Sequence, residues 1–145
     1  MAIERHAHAT WEGDLRSGTG RFDVGSGAIS SQEVTFASRF EDSGGKTSPE
    51  ELIAAAHATC VSMALANGLA QKGTPPKRLV TDAVCTLDRD DGGFRIVAMR
   101  LSVRGEVDGV DEQAFEAAAR EAKDGCPVSN ALGGNVDISL EASLA

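Results

Sequence analysis

The segment Ser48–Gly73, "SPEELIAAAHATCVSMALANGLAQKG", decides the fold. Ser48 suits a helix N-cap and Pro49 the first helical position, and Glu51, three residues after the cap, completes a capping box. Gly73 with Pro75 and Pro76 beyond it supplies the stop. The spacing predicts one helix over residues 49–72, about 36 Å long at 1.5 Å per residue, comparable to the diameter of a domain of this size. From Leu52 to Leu69 the residues are mostly Ala, Leu, Ile, Val and Met, without a clean polar face. A helix apolar all round must be covered all round. One domain of 145 residues cannot easily wrap it, so a second subunit is expected to supply part of the cover, making a homodimer.

Upstream of this helix, glycines at 13, 18, 20, 25 and 27 punctuate the chain. Between them "ATW", "GRFDV" and "QEVTFASRF" read as three short antiparallel strands. Downstream, "KRLVTDAVCTLDR" and "FRIVAMRLSVRGEV" read as strands joined by the hairpin signal "DDGG". In the first of these, Leu79, Thr81, Ala83, Cys85 and Leu87 share the more apolar face, so Cys85 reads as a buried small hydrophobe. "DEQAFEAAAREAK" is an amphipathic helix ending at Gly125, and "NVDISLEA" a final strand. No repeat or linker interrupts residues 1–145, which read as a single domain. Strands with segregated helices make the class α+β, antiparallel sheets packed around a long buried central helix.

The net charge of −8 and the absence of a basic run oppose a nucleic-acid or anionic-lipid partner. No stretch approaches 18 uninterrupted apolar residues, so no membrane span is expected. The N-terminus "MAIERHAHATWEG" lacks the features of a signal peptide, which points to the cytoplasm. In a reducing compartment, three widely spaced cysteines are not a disulfide framework.

Two cysteines have chemically suggestive surroundings. Cys60 lies in mid-helix, where it could pack as a small hydrophobe or act as a reactive thiol. His57, three residues earlier, shares part of its face; a charged imidazole there favours thiolate, and a hydrogen-bonded core histidine is the alternative. Cys126, in "DGCPVSN", follows a helix-closing Gly125 and precedes Pro127, the opening of a short helix "PVSNAL". It therefore sits at an N-cap, where free N–H groups acidify a thiol. Local physics alone favours Cys126 as the more acidic of the two. No CxxC, HxxxH or HExxH spacing supports a metal site through His57, Cys60 and Cys126, and no nucleotide-binding motif is present. No metal or cofactor is expected.

"TSPEELIAAAHATCVSMAL" (47–65) and "AKDGCPVSNAL" (122–132) resemble the two signature segments of the OsmC/Ohr family, the osmotically inducible and organic-hydroperoxide-resistance proteins. "WEGDLRSGTG" (11–20) and "SRFE" (38–41) resemble further stretches of the OsmC branch. The resemblance implies a thiol peroxidase working as an intertwined homodimer with active sites at the subunit interface. It makes Cys60 the peroxidatic cysteine and Cys126 the resolving one, linked as a disulfide after turnover. Arg39 and Glu50 match the family's arginine and glutamate, while Cys85 matches no family cysteine. Ser48 replaces the family's usual asparagine before Pro-Glu. The implied substrate is an organic hydroperoxide, with hydrogen peroxide used less efficiently. The implied reductant is a dithiol such as a lipoylated protein. Ten helical residues place Glu50 about 15 Å along the axis from Cys60, so a shared site requires the partner subunit or a break in the helix. A non-enzymatic module binding an apolar ligand, and a cysteine-based redox sensor, are the competing readings. The lipid module has no use for a second cysteine at a helix start; turnover alone separates sensor from enzyme.

Overall fold

The glycine-punctuated N-terminus forms the antiparallel meander β1 (Ala7–Glu12), β2 (Thr19–Val24) and β3 (Gln32–Thr35). Trp11 pairs with Gly20 across β1 and β2, and its indole lies where side chains at Gly18 and Gly20 would go. A Cβ at Gly20 would come 2.6 Å from Trp11 Cε3, so glycine there is a packing requirement.

The third strand is shorter than the sequence suggests. It stops at Thr35, and "FASRF" turns into the short helix α1 (Phe36–Phe40). A reciprocal cap causes the switch: Ser38 N–H donates to Thr35 Oγ1 at 3.2 Å, and Thr35 N–H donates to Ser38 Oγ at 2.9 Å. Satisfying two otherwise orphaned donors outweighs the strand-like alternation of the segment.

The computed structural model describes residues 1–145, and the chain divides into two compact units, Met1–Leu52 and Ile53–Ala145. Helix α2 (Pro49–Gln71) begins in the first and continues through the second. Ser48 Oγ accepts from Glu51 N–H at 3.2 Å as expected, while the Glu51 carboxylate accepts from the Thr47 hydroxyl at 3.0 Å instead of closing the box. At the far end Gly73 takes φ +82°. Its N–H donates to Ala70 O and that of Thr74 to Leu69 O, each at 3.0 Å, the bonding of a Schellman stop.

The second unit carries β4 (Arg78–Asp90), β5 (Gly93–Glu106), α3 (Glu112–Gly125), α4 (Pro127–Leu132) and β6 (Asp137–Leu144), with sheet order β4-β5-β6. The β4–β5 hairpin is antiparallel as expected, with a register shift at Thr86/Leu87. By contrast, β6 pairs with β5 in parallel. Parallel neighbours need a long crossover, and α3 with α4 provides it. Asp111 caps α3 by accepting from Ala114 N–H at 2.8 Å. The buried stripe Phe115, Ala118, Ala119 and Ala122 then packs with Leu65, Leu69 and Val103. A second cluster joins Val61, Met99, Leu101, Cys126 and Val136, with Cys60 and Cys85 packed against it.

By length and hydropathy α2 could cross a bilayer, its apolar window averaging 1.5. Here it serves as a core helix: His57, Val61, Leu65 and Leu69, at four-residue spacing, are all buried. Within one chain this is its only fully buried stripe. Ala55, Ala56, Thr59, Met63 and Ala70 remain exposed, Met63 by 68%.

Candidate active site

Cys60 projects from the middle of α2, and Cys126 occupies the joint that ends α3 and opens α4. Gly125 and Pro127 produce this joint, the one ending a helix and the other fitting the first position of the next. The two sulfurs approach to 2.8 Å, and both cysteines are free thiols. Cys60 is partly exposed, whereas Cys126 is fully buried.

Acidity is divided unequally within the pair. Burial pushes the Cys60 thiol up, and its hydrogen bond with Cys126 adds to this, against the opposing Val128 amide. Burial also pushes Cys126 up. The hydrogen bond from Cys60 outweighs it together with the Ser129 amide, the Ser129 hydroxyl and the Val128 amide, so Cys126 is shifted down. Within the pair the two shifts run in opposite directions, Cys60 up and Cys126 down. This is the order that a helix start implies.

His57 reaches neither sulfur as a direct partner. Its ring is buried, with Nε2 2.7 Å from Ser129 Oγ. Nδ1 has no hydrogen-bond partner in the protein. Burial pushes its pKa down, so the imidazole is neutral near pH 7 and supplies no positive charge to a thiolate. Ser129 is the residue that sequence reasoning misses. Its only signal is its place three residues after Cys126, on the same side of the first turn of α4.

In the first unit, Arg39 and Glu50 come together as a pair. Arg39 Nη2 donates to Glu50 Oε1 at 2.8 Å, and Nε lies 3.2 and 3.3 Å from Oε1 and Oε2. Glu50 is buried and the arginine side chain about one-third exposed, at 35%. This forked geometry fixes the guanidinium plane. Arg39 also lines an open cavity of about 430 Å³ with a mainly apolar wall, including Trp11, Leu15, Phe22, Phe36 and Phe40. Cys85, on the inward face of β4, packs in the cluster that holds Cys126.

Two free thiols thus lie in contact, one helix-embedded and one at a helix joint, on an α+β frame. The family model described as OsmC-like protein matches residues 41–141. Peroxiredoxin OsmC of Escherichia coli (strain K12) is 40% identical over 141 residues, 97% of this chain and 98% of that protein. Organic hydroperoxide resistance protein OhrA of Bacillus subtilis is 36% identical over 96 residues, 66% of each. Among solved structures, OhrB of Bacillus subtilis superposes with a TM-score of 0.76 at 26% identity, over 95% of this chain and 98% of that one. The Legionella pneumophila organic hydroperoxide resistance protein OsmC gives 0.79 at 24% identity, over 99% of both, a likeness of fold. The chain belongs to the OsmC-like family, and it is an oxidoreductase of the cysteine-based peroxidase kind.

Proposed function

We propose that the chain reduces organic hydroperoxides, and hydrogen peroxide less efficiently, through a Cys60 sulfenic acid and a Cys60–Cys126 disulfide. The observation that carries this reading is the 2.8 Å approach of two free sulfurs, only one of them partly exposed. Cys60 is the partly exposed member of the pair, so a peroxide reaches it first. The Cys60 thiolate attacks the peroxide, the O–O bond breaks, and an alcohol leaves. Cys126 then attacks the sulfenic sulfur, expelling the second oxygen as water and leaving a disulfide.

Arg39 stabilises the attacking thiolate and the peroxide oxygens, and Glu50 fixes its orientation. The apolar cavity beside Arg39 suits an organic rather than a small polar peroxide. The chain works as a homodimer in the cytoplasm, with the exposed apolar face of α2 covered by a second copy and Arg39 and Glu50 serving the partner's thiols. A dithiol such as a lipoylated protein reduces the disulfide, because an intramolecular second attack releases it from a buried site.

The test adds one equivalent of cumene hydroperoxide to reduced protein and maps its thiols by mass spectrometry. The expected product is a Cys60–Cys126 disulfide with Cys85 unmodified. Finding Cys60 and Cys126 both still free would end the reading. Cys60→Ser abolishes peroxide consumption, whereas Cys126→Ser allows one oxidation and stalls with sulfenic or over-oxidised Cys60.

A further inference from the structure

We propose that Phe40 is a positioning residue for the Arg39 guanidinium: its ring, itself held by Phe36, sets the tilt of the group whose in-plane direction Glu50 fixes. The proposal rests on the role given to Arg39 above. It adds an aromatic support that the cysteine, arginine and glutamate set does not contain.

In "FASRF" (36–40) the two phenylalanines stand at the ends of the segment. In an extended strand that spacing keeps them about 13 Å apart; on one turn of helix it makes them neighbours. The Thr35–Ser38 cap selects the helix. The two ring centroids then lie 4.8 Å apart with their planes inclined at 40°, an attractive aromatic pair. The Ser38 hydroxyl, 3.1 Å from Thr47 O, ties this turn to the segment that leads into α2 and Glu50.

Each ring carries a guanidinium. Arg39 Cζ lies over the Phe40 ring, 5.2 Å from its centroid, and Arg16 Cζ over the Phe36 ring at 4.8 Å. Both distances are within the ~6 Å reach of a cation–π contact. Arg16 is delivered by the β1–β2 turn, where the Asp14 carboxylate accepts from the Arg16 and Ser17 amides at 2.9 Å each.

The two restraints on Arg39 are complementary. Glu50 engages Nε and Nη2 in the guanidinium plane, which leaves the plane free to rock about that edge and leaves Nη1 for a peroxide oxygen. A ring under the guanidinium carbon opposes the rocking. Phe36, Arg39 and Phe40 all line the apolar cavity, so the stack stands at the wall where an organic peroxide would lie. Because Arg39 is about one-third exposed, at 35%, the contact adds little to stability. Its effect falls on where the donor stands, and small displacements of such a donor cost rate.

The experiment uses the full chain with Phe40 replaced in turn by mono-, di- and trifluorophenylalanine, which keep the ring's shape while draining its negative face, and by Phe40→Leu. Two half-reactions are timed separately: oxidation of reduced protein by cumene hydroperoxide or hydrogen peroxide, and reduction of oxidised protein by dihydrolipoamide. Oxidation is expected to slow stepwise with added fluorine, reaching about three- to fivefold in the trifluoro ring and in Phe40→Leu. The factor is expected to be the same for both peroxides, with the dithiol half-reaction unchanged. Heteronuclear NMR is expected to show the Arg39 Nε–H exchanging faster with water in the same order. A flat oxidation series overturns the proposal. So does a loss confined to cumene hydroperoxide, which would make Phe40 a wall for the organic group, and so does an equal loss in the dithiol half-reaction, the mark of a packing defect. If the parent protein consumes neither peroxide, the peroxidase reading fails; the stack is then judged on Arg39 Nε–H exchange, and unchanged exchange across the series overturns it.

Discussion

Arg39 grips Glu50 through two of its nitrogens, with Nη2 2.8 Å from Oε1 and Nε within 3.3 Å of both oxygens. A lysine keeps the charge but cannot make that fork. Arg39→Lys and Glu50→Gln are each expected to lower kcat/KM for cumene hydroperoxide about tenfold, and Arg39→Ala about a hundredfold, in steady-state consumption with a dithiol reductant. Removing the arginine also leaves a buried carboxylate unpaired. Because Arg39 is partly exposed, water recovers some of this, and the loss of stability is about 1–2 kcal/mol. Wild-type turnover in Arg39→Ala would restrict the pair to a structural role.

Acid should weaken the fold through His57. Burial holds its pKa below the ordinary 6.5, so the unfolded chain takes up a proton that the folded chain refuses. The stabilising effect is complete above pH 6.5 and is lost as pH falls below it, at up to about 1.4 kcal/mol per pH unit. Urea unfolding of reduced protein between about pH 7 and about pH 5 measures the slope. His57→Gln removes this proton from the balance and flattens the profile over that window.

Gly105 should tolerate no side chain. A Cβ there would lie 2.5 Å from Cε2 and Cζ of Phe115, a ring with no exposed surface. Gly105→Ala forces the α3 stripe away from β5 and costs about 1–3 kcal/mol, read from the shift in denaturation midpoint. Equal midpoints would mean that α3 moves freely against the sheet.

The exposed Met63 tests the subunit arrangement. Light scattering is expected to give twice the 15.0 kDa chain mass for the parent and a shift toward the single chain for Met63→Arg, with peroxide turnover falling in parallel. Full activity in a monomeric Met63→Arg would remove the partner subunit from the site.

The long helix and the hairpin are legible in the sequence because their signals are local. Ser48, Pro49 and Gly73 bound α2, and the alternation through Cys85 sets the inward face of β4. The end of β3 is missed because Thr35 and Ser38 must recognise each other as a cap within an alternating segment. The parallel placement of β6 is missed because "NVDISLEA" carries no mark of its direction relative to β5. At the site, Cys60 and Cys126 announce themselves by their flanks. Ser129 does not: its significance comes from an imidazole 72 positions earlier in the chain, a pairing that only the packing of α4 against α2 creates.

Cys60 and Cys126 are separated by 66 positions, and the stretch between them holds β4, β5 and all of α3. A bond between their sulfurs would make that stretch a closed ring, which an unfolded chain cannot open. Ring closure of this size removes disorder equivalent to about 4 kcal/mol from the denatured chain. Oxidant would then temper the molecule as it is consumed: the form waiting for its reductant is the one hardest to melt, and heat resistance becomes a direct readout of redox state.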